Sequence, residues 1–239
     1  MNKKVLFFVI FITEVSLCFS LAGDKDAGSI VKTIEESYKK VKDYTCTMYK
    51  KELVGGKYIE QKNIAYKHRK PDKYYMKWTE GDDEGMEVIY AGKKYGNQIY
   101  AHPGGAFKFI VTKLDPKGSM AMNNNRHNIL ESDYGFIVGL ISTNFSKARA
   151  NGEGSFKVEE SKSQALGEGL VITAEFPRGK GYYAGKIVLF LDKKLDLPTQ
   201  FKVFDWDGKL IEFYKYSNIK VNPGLKDIDF DIDNPEYNF

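Results

Sequence analysis

The sequence predicts a mainly β protein: a strongly curved antiparallel sheet with two or more helices packed inside it or across its mouth. Three observations lead there. From Tyr44 onward the chain reads as short apolar-alternating runs divided by Gly and Pro signals, the mark of an antiparallel meander. Only two segments carry helical spacing, and two helices cannot cover a flat sheet of about ten strands, so the sheet must curl, close or pair. Finally, Tyr183–Leu191 is apolar on both faces, so something lies on each side of it.

Taken in order, Asn2, Lys3 and Lys4 precede an apolar run from Val5 to Ala22, interrupted by Glu14. The run is short for a bilayer span and Glu14 is costly within one. Small residues at Ser20 and Ala22 complete a secretory signal cleaved after Ala22, which predicts export to the periplasm. An uncleaved anchor and a lipidated Cys18 are the alternatives, though Leu17 stands where lipidation needs a small residue. The organisation is therefore a signal peptide at 1–22 and one domain at 23–239, with no Pro-, Ser- or charge-rich linker inside it.

Ile30, Val31, Ile34, Tyr38 and Val41 make Asp26–Val41 an amphipathic helix. Tyr44–Val54 and Lys57–Arg69 flank a Gly55-Gly56 hairpin turn. Strands are then expected at Asp72–Thr79, Met86–Ala91, Tyr95–Ala101 and Phe107–Leu114. A polar stretch follows, then a second helix capped by Ser132 or Asp133 and striped by Phe136, Ile137, Leu140, Ile141 and Phe145. Strands resume to Tyr216, with Asp207-Gly208 as the final hairpin signal. Cys46, the one cysteine left after export, sits in a strand-like run and reads as a small buried hydrophobe.

Composition excludes several functions. A net charge of +4, from 36 basic and 32 acidic residues, is too near balance for a nucleic-acid partner. His68, His102 and His127 share no ligand spacing, so neither a metal nor another cofactor is expected. Arg126-His127 with Glu131, Ser132 and Asp133 has catalytic residue types but no nucleophile context, and reads as a polar loop, so no enzyme is expected. Gly179-Lys180-Gly181 lacks the spacing of a phosphate loop. Asp227, Asp229, Asp231 and Asp233 alternate with Ile228, Phe230 and Ile232, but Ile232 and Asn238 stand where a calcium loop needs Gly and Glu. That alternation reads as an edge segment, apolar side inward.

Several motifs occur in an informative order. Arg69-Lys70-Pro71 runs into Tyr74-Tyr75-Met76-Lys77-Trp78; later come Ile187-Val188-Leu189-Phe190-Leu191-Asp192, Leu197-Pro198 and Asp205-Trp206-Asp207-Gly208-Lys209. In this the chain resembles the periplasmic lipoprotein-carrier superfamily, which includes the lipoprotein localisation factors and a sigma-factor regulator domain. Within it the chain looks most like an uncharacterised branch known only as a domain of unknown function. The resemblance implies a half-open β-barrel with a helical lid or plug and an apolar cavity for acyl chains. It also implies a lid latch at the basic residue before the proline, which is Lys70 here; Arg69, one residue earlier, faces the other way in a strand.

The candidate lipid-binding residues are Ile64, Tyr66, Tyr74, Met76 and Trp78 on the strands, with Phe136, Ile137 and Leu140 on the second helix; the same types would serve an ordinary core. The expected function is a non-enzymatic periplasmic protein that holds a lipid or acyl chain, with a lipid or acylated protein as partner. The alternative is an envelope sensor or regulator that binds a membrane protein. Export gives the first prediction: the mature protein begins at Gly23 and is released with the soluble periplasm. Mass spectrometry of the purified protein checks it, and an intact Met1 or a lipid on Cys18 overturns it.

Overall fold

The punctuation read from the sequence becomes the turns of one sheet. The computed structural model describes residues 23–163 and 166–239; segment 1–22, and with it the expected export signal, lies outside the described residues. Helix α1 (Gly23–Lys40) leads into β1 (Asp43–Val54), β2 (Lys57–Arg69), β3 (Lys73–Trp78), β4 (Glu87–Ala91), β5 (Ile99–His102) and β6 (Thr112–Leu114). After α2 (Tyr134–Asn151) come β7 (Ser155–Ser163), β8 (Gly167–Glu175), β9 (Lys186–Asp192), β10 (Pro198–Phe204) and β11 (Leu210–Val221). The β1–β2 turn uses Gly55 and Gly56 at φ 55° and 82°, which a two-residue hairpin of this hand demands. At the β10–β11 turn, the Asp205 carboxylate accepts hydrogen bonds from the backbone N–H of Asp207 and Lys209.

The sheet has eleven strands in the order β6-β5-β4-β3-β2-β1-β11-β10-β9-β8-β7, each pair antiparallel. Its edges, β6 and β7, do not meet, so the barrel stays open as expected. Register shifts in β1, between Thr45 and Thr47 and between Met48 and Lys50, bend the middle of the sheet. Two further shifts bend β10.

Both helices lie against the inner face. Ile30, Ile34, Ile137, Val138 and Ile141 join Tyr44, Met48, Ile64, Tyr66, Tyr74, Phe201 and Tyr216 in one core. Cys46 is buried there, as expected, and burial pushes its thiol pKa up. Asp133 caps α2 by accepting from the Phe136 N–H at 3.0 Å. The same carboxylate accepts from Tyr38 Oη of α1 at 3.0 Å and lies 3.3 Å from His68 Nε2 of β2. The start of α2 is thereby pinned to α1 and the sheet at once. No helix among the described residues is long and apolar enough to cross a membrane.

The structure corrects the reading of the C-terminal acidic run. Residues 227–233 are not an edge segment: Asp227–Phe230 form a single 3-10 turn laid on the outer face of the sheet. That turn has a period near three, so Phe230 alone points inward, fully buried with Tyr75, Ile89 and Ala91. The carboxylates are held by cations of the sheet and of the turn after β4: Asp229 by Lys67 at 2.8 Å, Asp227 by Arg69 and Lys73, Asp231 by Lys94. Tyr237 stacks on Tyr75 with ring centres 4.1 Å apart. Tyr75, which shares a face of β3 with Lys73 and Lys77, is therefore covered, and the sheet has a core on each side.

Two strands are shorter than expected. Gly92–Tyr95 is a 3-10 turn, because Gly92 sits at φ 52° against the Asp72 carboxylate, where a Cβ would lie 2.1 Å from Asp72 Oδ2. Only Thr112–Leu114 of the run from Phe107 pairs, leaving Phe107, Phe109, Ile110 and Val111 exposed.

The outer core yields a stability prediction. Phe230→Ala costs about 3–5 kcal/mol in urea unfolding, whereas Asp227→Asn, at an exposed ion pair, changes it little. A cost below about 1 kcal/mol for Phe230→Ala would show that the tail is not part of the cooperative fold.

Candidate functional site

At the end of the inner face nearest Trp78 the sheet and the segment before α2 enclose a cavity of about 290 Å³. Its apolar wall comes from neighbouring strands: Met48 of β1, Met76 and Trp78 of β3, Val88 of β4, Ile99 of β5 and Leu114 of β6. Alternation brings them together, since these positions share the inner face of the sheet. The cover is segment 120–132, which contributes Met120, Asn125, His127 and Ile129 among others.

Of the candidate lipid-binding residues, Met76 and Trp78 line this cavity. Ile64, Tyr66, Tyr74, Ile137 and Leu140 lie in the packed core under the helices, and the Tyr66 hydroxyl is 3.1 Å from Ser132 Oγ. Phe136 is half-buried with its ring 4.7 Å from that of His127. Ile64, Tyr66 and Tyr74 share a face with Met76 and Trp78, but the helices fill the space above them. The two basic residues before Pro71 point to opposite sides of the sheet, Arg69 as the last residue of β2 and Lys70 as the first of the turn. Lys70 donates to the Tyr38 carbonyl at 2.7 Å, its ammonium 3.5 Å from the centre of the Tyr38 ring, and so holds the end of α1. Arg69 faces the outer side, donating to the Leu225 carbonyl and pairing with Asp227.

Beside the cavity lies a buried polar cluster. Glu52 and Glu212 face each other across the β1–β11 pair, 1% and 0% exposed. Like charges opposed this way repel, and cations from the covering segment answer them. The Arg126 side chain donates to Glu212 at 2.6 Å, and its backbone N–H to Glu52 at 3.1 Å. Tyr183 donates to Glu212 at 2.5 Å, and Tyr214 donates to Glu52. His127 joins the cluster through both ring nitrogens, with Tyr183 Oη 2.9 Å from Nε2 and Glu131 Oε2 3.1 Å from Nδ1. Lys50 reaches Asn125 at 2.5 Å and lies 3.6 Å from Glu52.

These contacts shift the pKa values of His127 and Glu212 in opposite directions. Burial alone would lower the His127 pKa, but the hydrogen bond and charge of Glu212, then Glu131, outweigh it and raise it. Burial alone would raise the Glu212 pKa, but His127, Tyr183 and Arg126 hold it below the usual range. Arg126 and His127 are thus more than a polar loop, for they fasten the cavity cover to the sheet. Glu52, Glu212 and Tyr183 escaped the sequence reading, although a signal existed: strand alternation puts Glu212 on the face of Tyr214 and Tyr216, a charge on an apolar stripe.

Solved structures similar to this chain include the Mycobacterium tuberculosis lipoprotein LppX, at 10% identity and TM-score 0.48, covering 85% of this chain and 98% of that one. A LolA superfamily protein from Nitrosomonas europaea matches at 10% identity and TM-score 0.33, covering 86% and 97%. The Pseudomonas aeruginosa MucA/MucB complex matches at 11% identity and TM-score 0.42, covering 86% of this chain and 60% of that one. These likenesses are of fold. No curated protein matches the chain in sequence. Residues 41–239 match the model of the family described as protein of unknown function, DUF1571, and the chain belongs to that family.

The cluster has a defined pH dependence. His127, with its pKa raised, contributes fully below the unfolded value of about 6.5, and that contribution is lost as pH rises through the folded value. Glu212, with its pKa lowered, contributes above the usual Glu value of about 4.3, a contribution lost as pH falls. The stability gap between wild type and His127→Gln is therefore largest between about pH 5 and 6.5, at about 1–3 kcal/mol, and shrinks toward pH 9. Urea unfolding across that range checks it; a gap constant with pH would mean that His127 acts as a neutral donor.

Proposed function

We propose that this protein is a non-enzymatic, exported binding protein that holds one acyl chain of a lipid or acylated partner in the cavity beside Met76 and Trp78. The observation that carries this reading is the cavity wall, in which Met48, Met76, Met86 and Met120 meet Trp78. Methionine is flexible and polarizable, and such a wall adapts to a chain that has no fixed shape. About 290 Å³ is near the lower end for ligand cavities, which suits a single chain over a multi-chain lipid. Arg126, His127, Glu52 and Glu212 are engaged with one another and with Tyr183, Tyr214 and Glu131, and this supports a structural role for them over a catalytic one.

A second reading, an envelope regulator with a protein partner, is favoured by one observation. Phe107 and Phe109 are 63% and 74% exposed, and Ile110 and Val111 after them are exposed too, an apolar run leading into β6, whose Leu114 lines the cavity. Exposed patches of this kind commonly serve association.

The cavity reading has a direct test. Met76→Glu places an unpaired carboxylate on the cavity wall and abolishes binding of a neutral naphthylamine dye, because burying that charge among apolar groups is expensive. Ala101→Trp, which fills the same cavity without charge, also abolishes it. Circular dichroism is expected to show both variants folded. Folded variants that bind the dye like wild type would overturn the reading.

A further inference from the structure

We propose that the run Phe107–Val111 docks this protein onto an anionic lipid surface, with its apolar side chains in the head-group region and the nearby lysines against the lipid phosphates. Single exposed apolar residues are ordinary on any protein. Here they are clustered: of the eight large hydrophobic side chains strongly exposed among the described residues, four are Phe107, Phe109, Ile110 and Val111. The run lies between β5 and β6, at one edge of the sheet, and none of it pairs with a strand.

Charge decides the occupant. Lys108 stands inside the run and Lys113 and Lys117 follow it, all three exposed and none in an ion pair among the described residues. The Lys113 ammonium lies 5.1 Å from the centre of the Tyr100 ring, a contact that positions it without neutralising it. Asp115, the one acidic residue from 103 to 120, gives a carboxylate oxygen to the backbone N–H of Lys117 at 2.9 Å. Lysine is depleted at protein–protein interfaces, where its strongly hydrated ammonium would lose water. An anionic bilayer leaves the ammonium in water beside the phosphates and takes up only the neighbouring rings. The rings alone fit a protein partner; the rings with their lysines fit a lipid surface better. The backbone suits shallow insertion as well. Within the run, the Lys108 N–H donates to the Gly105 carbonyl at 3.4 Å and the Ile110 N–H to the Phe107 carbonyl at 3.0 Å. A turn that meets part of its own hydrogen-bonding demand loses less on leaving water, and the head-group region hydrates the rest. Docking here brings β6, with the Leu114 edge of the cavity wall, to the membrane surface.

The test is co-sedimentation of the protein, purified from its own envelope, with vesicles of phosphatidylglycerol and phosphatidylcholine in equal parts and with vesicles of phosphatidylcholine alone. Wild type is expected to bind the anionic vesicles about tenfold or more tightly than the neutral ones, and to be released at about 1 M salt, where screening acts within about 3 Å. Lys108→Gln combined with Lys113→Gln is expected to weaken anionic binding by about fivefold per lysine. Phe107→Ser combined with Phe109→Ser is expected to weaken it by more than about tenfold. All four side chains are exposed and lie off the cavity wall, so circular dichroism and dye binding are expected to stay as in wild type. Ala106→Trp reads the contact directly, with fluorescence quenched by brominated phosphatidylcholine in the anionic vesicles beyond the quenching of wild type. Unchanged vesicle binding in both double variants, or no added quenching of bound Ala106→Trp, overturns the proposal. So does a wild type that binds neither vesicle, the result expected if the run meets a protein partner instead. Dye binding is measured without vesicles, so each of these outcomes leaves the cavity reading standing.

Discussion

The pairing of β1 with β11 is the contact on which the rest of the structure depends. Without it the chain is two separate meanders, β1 to β6 and β7 to β11, each with an inner face too wide for one helix to cover. The pairing joins Tyr44 to Val221 and Glu52 to Glu212, so it forms only when distant parts of the chain meet. It is slow to form for that reason, since a long loop must close before any of its hydrogen bonds are made. Its register shifts bend the sheet where the two halves join, and α1 and α2 pack inside that bend.

The same seam explains the charges at its end. Two carboxylates opposed across a strand pair are destabilising unless something pays for them. Here the answer comes from Arg126 and His127, on the segment between β6 and α2. The contacts that answer the seam's carboxylates are thus the same ones that fasten the cavity cover. The cover is held by charge-assisted hydrogen bonds to the sheet, while the other end of the inner face is closed by apolar packing of helices. A cavity survives at the first end because polar fastenings hold the cover without filling the space beneath it.

The outer face is secured differently. Lys67, Arg69, Lys73 and Lys94 project from the sheet and the turn after β4, and the C-terminal carboxylates fall among them. Such pairs contribute little stability individually. They set the position of Phe230 and Tyr237 over Tyr75 and Ile89, and burial of those rings holds the tail. Arg69 and Lys70 show how finely this is divided: adjacent in sequence, one fixes the tail outside and the other fixes α1 inside.

The sequence alone determined the curved sheet, its two helices and most of its turns, because these follow from local signals: period-2 alternation, helical stripes, and Gly-Gly or Asp-Gly at hairpins. It also determined that Met76 and Trp78 share a face with Ile64, Tyr66 and Tyr74. Only the tertiary structure decided which of those residues line open space, since that depends on where the helices end and not on the strand's own pattern. It likewise decided that Asp227–Asp233 would form a turn on the outer face, because the basic residues and the buried ring that fix it belong to strands far away in the chain. Local spacing cannot report such partners. The pairing of Glu52 with Glu212, and the engagement of both by the segment that carries Arg126 and His127, has the same origin: these groups lie more than seventy residues apart and meet only in the folded sheet.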